Sequence, residues 1–171
     1  MRFTFTPDQE QFRSDVRAFL DETLTPAFWQ HHRQHRLPGW SPEFSRATAK
    51  RGWLATSWPV EYGGRGLGAA EQSIYMAEMA YAGAAQEHHR RAIQQVGPSI
   101  MLFGTPEQKA DYLPRIASAE ISFAMGLSEP NAGSDLANVE TMARRDGDDY
   151  VINGVKRYTS GAHYSDYLWC V

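Results

Sequence analysis

The stretch Ile121-Ser-Phe-Ala-Met-Gly-Leu-Ser-Glu-Pro-Asn-Ala-Gly-Ser-Asp135 is where the sequence changes character. Upstream of it, apolar residues recur at the three- and four-residue spacing of helices, whereas downstream of it short β-type runs alternate with turns. Its first part, Ile121 to Leu127, is a strand candidate because it contains several β-favouring residues. This change of pattern predicts an α+β protein in which an all-α helical domain (residues 1–120) precedes a β-domain (residues 121–171).

The helical half carries clear signals for where helices start and stop. Thr6-Pro7-Asp8-Gln9 and Thr105-Pro106-Glu107-Gln108 each combine an N-cap threonine, a proline at the first helical position and a glutamine three residues after the cap. Ser41-Pro42-Glu43 marks another helix start, with Gly52 as its stop. Two further helices are predicted from about Ala69 to Gly83 and from about Ala84 to Phe103.

Turn signals divide the β half into short strands. Asp146-Gly147 and Asn153-Gly154 each predict a hairpin, the second followed by a strand from Val155 to Ser160. Tyr167-Leu-Trp-Cys-Val171 begins another strand. An apolar strand of this kind needs neighbours along its edges and a layer over its face, so we expect that residue 171 is not a natural domain end.

The composition argues against several classes of protein. The chain has 171 residues, of which 42% are hydrophobic, enough for one domain or for one domain and part of another. A formal net charge of −3 without a basic cluster gives no reason to expect nucleic acid or a membrane surface as a partner. No secretory signal and no apolar run of the ~20 residues needed for a membrane span is expected. Cys170 is the sole cysteine, so we expect no intramolecular disulfide and a reducing, cytoplasmic location.

The loop Leu127-Ser-Glu-Pro-Asn-Ala-Gly-Ser-Asp135 offers groups that suit a ligand. Gly133 permits close approach of the backbone, and Ser128 and Ser134 can donate hydrogen bonds to carbonyl or phosphate oxygens. Consecutive backbone N–H groups in such a turn can also surround an anion. An ordinary turn between two strands has the same composition, so the pattern alone leaves both interpretations open.

Two other patterns favour structural explanations. Gly64-Arg-Gly-Leu-Gly-Ala69 has the spacing of a dinucleotide-binding turn, but Pro59 argues against the strand that must precede one. We therefore expect a connection between two helices. His31, His32 and His35 lie close together without the additional ligands that a metal site needs, so a solvated polar stretch is favoured and no metal site is predicted.

Four blocks spread over the whole chain occur in the order and spacing of one known family. They are Tyr62-Gly-Gly-Arg-Gly-Leu-Gly68, Gly104-Thr-Pro-Glu-Gln-Lys-Ala-Asp-Tyr-Leu-Pro114, Ser128 to Asp135, and Asp146-Gly-Asp-Asp-Tyr-Val-Ile-Asn-Gly154 with Lys156 and Tyr158-Thr-Ser160. In these blocks the sequence resembles the acyl-CoA dehydrogenases. Their fold has an N-terminal helical domain, a middle β-domain and a C-terminal four-helix domain. The resemblance implies that this chain supplies the first and, as a partial antiparallel β-barrel-like domain, about half of the second.

The resemblance also implies a site for FAD and acyl-CoA. It places the stretch from Met125 to Ser134 against the flavin, with Ser128 near the isoalloxazine ring and Ser134 toward the pyrophosphate or pantetheine. Tyr158-Thr159-Ser160 would pack against the ring, with tyrosine standing where the family often has tryptophan. The cofactor-binding residues predicted in this way are Met125, Leu127, Ser128, Gly133, Ser134, Tyr158, Thr159 and Ser160, and Ser134 is also predicted to bind the substrate.

The family reaction removes a proton from the carbon α to the thioester and passes a hydride from the β carbon to flavin. The carboxylate base of the family lies in the C-terminal helical domain. The resemblance therefore predicts no catalytic residue in this chain, assigns Glu129 to the loop structure, and implies that these 171 residues alone have no dehydrogenase turnover. It implies acyl-CoA, an electron acceptor such as an electron-transfer flavoprotein, and further subunits of a homo- or hetero-oligomer as partners.

Other interpretations remain open beside this one. An acyl-CoA oxidase or a flavin monooxygenase would use the same scaffold, and a non-catalytic subunit could complete the flavin site of a partner. The retention of Ser128, Gly133 and Ser134 argues against the non-catalytic subunit. Glu87-His-His-Arg-Arg91 is expected to be mostly solvated, with one or two side chains facing the acyl pocket as the alternative.

Overall fold

The computed structural model describes residues 4–34, 40–84 and 87–171. The chain divides into two compact units, residues 1–120 and 121–171. No helix in the described residues is both long and apolar enough to cross a membrane. The helices of the first unit are α1 (Pro7–Thr23), α2 (Pro26–Gln34), α3 (Pro42–Lys50), α4 (Ala69–Tyr81), α5 (Glu87–Arg91), α6 (Gly97–Phe103) and α7 (Pro106–Ala117).

The helix starts predicted from the sequence are confirmed. The Thr6 hydroxyl accepts the backbone N–H of Gln9 at 3.2 Å, and the Gln9 side chain accepts the N–H of Thr6 at 3.0 Å. Thr105 and Gln108 repeat this reciprocal cap at 3.3 and 2.9 Å. These bonds satisfy N–H groups that have no partner within the helix. After α3 the chain turns at Gly52, whose φ of +68° suits glycine at the end of a helix.

The core of the first unit joins α1, α3 and α4. One face of α1 buries Val16, Phe19 and Leu20, and the Phe19 ring meets the Trp53 ring edge-on at a centroid distance of 5.4 Å. Burial of each such side chain contributes about 1.5–3 kcal/mol. Other members of the same cluster are Phe44, Trp53, Tyr75 and Met79.

The helix predicted from about residue 84 to Phe103 is confirmed over its described part, which runs from Glu87 to Phe103 and ends at Gly104, but it is not α-helical throughout. A π-helical segment, Ala92–Val96, separates α5 from α6, and Gly97 donates its N–H to the carbonyl of Ala92. Pro98 has no N–H to offer the carbonyl of residue 94, so the regular α-helical pattern cannot run through this point. The Trp58 indole N–H also donates to the carbonyl of Ile93 at 2.9 Å. Both features favour a wider turn here.

The fully described second unit, residues 121–171, contains two strand pairs. Its strands are β1 (Phe123–Gly126), β2 (Met142–Asp146), β3 (Asp149–Asn153) and β4 (Tyr167–Cys170). β2 and β3 form the antiparallel hairpin predicted from Asp146-Gly147. β1 pairs with β4 in parallel, Phe123 opposite Tyr167. The antiparallel expectation therefore does not hold for this pair. The long excursion between the two strands makes parallel pairing possible.

The second predicted hairpin, at Asn153-Gly154, is also wrong. Residues 154–159 form no regular secondary structure. A Cβ at position 154 would overlap the Thr141 side chain, so Gly154 lets the chain pass close to Thr141. Arg157 then donates its N–H to the carbonyl of Ser128 at 2.8 Å instead of to β3. The backbone N–H group that a hairpin would use therefore bonds to the loop after β1.

Candidate functional site

The loop after β1 is closed by its own backbone. Glu129 donates its N–H to the carbonyl of Ala132 at 2.7 Å, and Ala132 returns its N–H to the carbonyl of Glu129 at 3.3 Å. Ala132 is buried, whereas Pro130 and Asn131 at the tip are exposed. The loop is thus a tight turn held at both ends, which fixes the direction of the residues that follow it.

Glu129 is a buried carboxylate at the base of this turn. It accepts hydrogen bonds from the ammonium of Lys156 at 2.7 Å and from the backbone N–H groups of Glu140 at 2.6 Å and Thr141 at 2.9 Å. The Lys156 ammonium, followed by the bonds from Thr141 and Glu140, lowers the pKa of Glu129 to about 2. A carboxylate so held does not take up a proton near neutral pH, which supports its assignment to the loop structure.

The structure joins the two segments that the sequence suggests for the flavin. The N–H of Arg157 donates to the carbonyl of Ser128 at 2.8 Å, and the Lys156 ammonium donates to the carbonyl of Leu127 at 3.1 Å. The Ser128 carbonyl is therefore bonded to the residue directly before Tyr158, although 30 positions separate Ser128 from Tyr158 in the sequence. Ser128 is half-buried.

Tyr158 has an unusual backbone and an unusual exposure. Its φ is +56°, a region that costs a bulky residue about 1–2 kcal/mol. Its side chain is 86% exposed. Burial therefore does not repay the strain, and strain of this kind concentrates at functional sites.

The other predicted site residues occupy the same two segments. A Cβ added to Gly133 would meet no protein atom within 4 Å, so protein packing does not require glycine at this position. Ser134 and Ser160 are exposed, and Met125, Leu127 and Thr159 are half-buried. The direct link runs between the Leu127–Ser128 end of the loop and the segment before Tyr158, while Gly133 and Ser134 lie beyond the turn.

Two histidines that the sequence analysis placed in solvated stretches are buried. The ring of His32 stacks on Phe28 with centroids 4.4 Å apart, because this face of α2 packs against the aromatic core. His89 is 1% exposed and lines a cavity of about 150 Å³ with Thr48 and Tyr75. His35 lies outside the described residues. Among the residues that the structure describes, no group of three His, Cys, Asp or Glu could hold a metal ion.

Lys156 and the π-helical segment are the features that sequence reasoning missed. Lys156 belongs to one of the family-like blocks, but nothing near it in the sequence indicates its partner Glu129. Trp58 and Pro98 signal the π-helical segment only when their positions in space are known. The connection predicted at residues 64–69 is confirmed, because it lies between the 3-10 turn Val60–Tyr62 and α4, and the described residues before it contain no strand.

Known proteins match both units of the chain. Residues 6–120 match the family model described as acyl-CoA dehydrogenase, N-terminal domain, and residues 124–171 match the one described as acyl-CoA dehydrogenase, middle domain. The chain belongs to the acyl-CoA dehydrogenase family.

Among curated family members, acyl-CoA dehydrogenase FadE26 of Mycobacterium tuberculosis is 43% identical over 99% of this chain. Two solved structures are also similar. A ChsE4-ChsE5 complex from Mycobacterium tuberculosis matches with a TM-score of 0.86 and 44% identity, over 99% of this chain and 43% of that one. The Tcur3481-Tcur3483 steroid ACAD matches with a TM-score of 0.84 and 38% identity, over 99% of this chain and 44% of that one. This chain spans 43% of the length of FadE26.

Proposed function

We propose that this chain forms part of an FAD-dependent acyl-CoA dehydrogenase that introduces an α,β double bond into an acyl-CoA thioester. The supporting observation is the Arg157 N–H to Ser128 carbonyl hydrogen bond, which joins both predicted flavin segments beside the exposed Tyr158. Residues 1–120 and 121–171 would be a helical domain and part of a β-domain. Further strands would complete that part to a β-barrel.

The residues present suit a flavin. Tyr158 offers an exposed aromatic face, and Gly133 leaves open space where a ligand can approach the backbone. Ser128, Thr159 and Ser160 supply hydroxyls for the polar edge of the ring, with Met125 and Leu127 as apolar contacts. Bound FAD would supply the two-electron oxidation. Ser134, which is exposed, would reach the pyrophosphate or the pantetheine of acyl-CoA.

The proton from the α carbon needs a base outside the two flavin segments. Glu129 does not fill this role, because three hydrogen bonds occupy its oxygens and lower its pKa to about 2, which makes it a weak base. A carboxylate on another part of the enzyme would take the proton. What these residues contribute is the binding and orientation of the cofactor and of the thioester.

Three alternatives use the same scaffold. An acyl-CoA oxidase would pass the electrons to oxygen, a monooxygenase would insert oxygen into its substrate, and a non-catalytic subunit would only complete a partner's site. The similarity to the ChsE4-ChsE5 complex favours a heteromeric assembly, and similarity to a steroid ACAD favours a bulky acyl group. An electron-transfer flavoprotein remains the proposed acceptor, and a cytoplasmic location remains a prediction.

One experiment separates these possibilities. The full-length protein that contains this chain is purified with any co-purifying subunit, and its visible flavin absorbance is recorded. Anaerobic addition of acyl-CoA is expected to bleach the flavin, and reoxidation is expected to be faster with an electron-transfer flavoprotein than with oxygen. Purified protein that binds no FAD when FAD is added would contradict the proposal, and rapid peroxide formation would favour the oxidase.

A further inference from the structure

The side chain of Lys156 extends from one proposed flavin segment to the other. Its side chain is 9% exposed. A Cβ on Gly126 would lie 3.2 Å from Cγ of Lys156, so the aliphatic part of the lysine runs close to the Gly126 backbone. Its ammonium then reaches the carbonyl of Leu127 at 3.1 Å and the carboxylate of Glu129 at 2.7 Å. Glycine at position 126 makes room for this path.

The Lys156–Glu129 pair connects three stretches of chain. Besides Lys156, the carboxylate holds the backbone N–H groups of Glu140 and Thr141 at the approach to β2. The pair is almost completely buried, with side-chain exposures of 9% and 4%. Removing two charges from water offsets much of their attraction, so a buried ion pair is weak evidence of added stability. A role in fixing the register of the segments accounts better for its position.

We propose that Lys156 is a positioning residue for the flavin site, which holds the Leu127–Ser128 backbone in place against the segment that carries Tyr158. This inference rests on the proposed function. Lys156 is two residues from Tyr158, and its acceptor Leu127 precedes Ser128. One side chain thus fixes the start of the loop relative to the strained aromatic residue. Without it, the Arg157–Ser128 hydrogen bond would hold these segments together at a single point.

The test uses the full-length enzyme with any co-purifying subunit. Lys156→Met removes the ammonium and keeps most of the stem, Lys156→Arg keeps the charge, and Lys50→Met is the matched control, because Lys50 is exposed at the end of α3. The Kd of FAD is measured by fluorescence titration at a temperature at which every variant is folded. Visible circular dichroism reports the environment of the bound flavin, and thermal unfolding of the apoprotein is followed separately.

We expect Lys156→Met to raise the Kd of FAD on the order of tenfold, the size of the loss that removal of an outer-shell partner causes at metal sites, and to change the visible circular dichroism. Lys156→Arg should recover most of both properties, and Lys50→Met should change neither. Should Lys156→Met fail to fold, the double variant Glu129→Gln/Lys156→Met takes its place, because it leaves no unpaired buried carboxylate.

A wild-type Kd and circular dichroism spectrum in Lys156→Met, or in the double variant where that replaces it, would overturn the inference and leave the proposed function intact. The same holds if the folded variant binds FAD normally and only its unfolding temperature falls, because Lys156 would then serve stability alone. A wild-type enzyme that does not bind FAD would refute the proposed function, and this inference with it.

Discussion

The indole ring of Trp58 occupies the space that a side chain at Gly97 would need. A Cβ built on Gly97 would overlap the six-membered part of the Trp58 ring. Trp58 is buried, and its N–H is bonded to the Ile93 carbonyl at 2.9 Å. The glycine, the tryptophan and the π-helical segment therefore form one packing arrangement.

Substitution of this glycine is expected to be costly. Gly97→Ala should lower the free energy of unfolding by about 1–3 kcal/mol, because the buried indole cannot move away without losing its hydrogen bond. Urea unfolding of the full-length protein measures the change. A variant as stable as the wild type would show that the indole can be accommodated elsewhere.

Gly133 is expected to behave in the opposite way. Its position is open, so Gly133→Ala should change the free energy of unfolding by no more than about 0.5 kcal/mol. The added methyl group should nevertheless raise the Kd of FAD or of an acyl-CoA product, because the glycine leaves room for a ligand. Parallel urea unfolding and ligand titration test this, and unchanged affinity for both ligands would remove Gly133 from the site.

A substitution at Tyr158 is expected to change stability and cofactor binding in opposite directions. Asparagine tolerates a positive φ better than tyrosine does, so Tyr158→Asn should raise the free energy of unfolding by up to about 1 kcal/mol. The same change should weaken FAD binding through loss of the aromatic face. Tyr158→Phe is the control and should bind FAD like the wild type. Equal FAD affinity in the Asn and Phe variants would argue against stacking.

Glu129 makes stability depend on acidity. The pKa of Glu129 is lowered from 4.5 to about 2 in the folded protein. Because the pKa is lowered, the stability that ionised Glu129 contributes is complete above about pH 4.5 and is lost as the pH falls toward about 2. In urea unfolding at several pH values, Glu129→Gln should lose less stability than the wild type over that interval. An identical pH dependence of the two proteins would contradict the assignment.

Glu78 is a second buried carboxylate, held in the first unit by two guanidiniums. It accepts from Arg13 Nε at 2.6 Å and from Arg17 Nε at 2.8 Å. The pKa of Glu78 is lowered, first by the hydrogen bond from Arg17 and against its burial, and further by Arg13. Either arginine alone can still pair with the carboxylate.

Arg13→Met or Arg17→Met alone should therefore lower the free energy of unfolding only slightly, because both guanidiniums are partly exposed and screened. The double variant should lower it by more than the sum of the single changes, because it leaves the buried carboxylate without a cation. Arg46→Met, in an exposed pair with Glu43 at 3.6 Å, is the control with little expected effect. If the losses in the free energy of unfolding were additive, neither arginine would compensate for the loss of the other as a partner of Glu78.

The resemblance to a known family predicts both segments of the candidate site. It could do so because the residues of each segment follow one another closely in the chain. The relation between the segments was not predictable, because the partners Lys156 and Glu129 stand 27 positions apart and neither has a local signal. The resemblance assigns Tyr158 a stacking role, but no local pattern predicts its positive φ.

The sequence by itself determined the helix starts at Thr6, Ser41 and Thr105 and the hairpin at Asp146-Gly147. Caps and tight turns satisfy backbone groups within a few residues, so a short pattern is sufficient to specify them. Only the tertiary structure decided the parallel pairing of β1 with β4 and the π-helical segment opposite Trp58. Each depends on a hydrogen bond or a packing contact between residues about 35–45 positions apart, such as the Ser122 N–H bond to Asp166 at 2.8 Å. No local pattern specifies such distant partners, because they are selected by packing and by the need to satisfy buried polar groups.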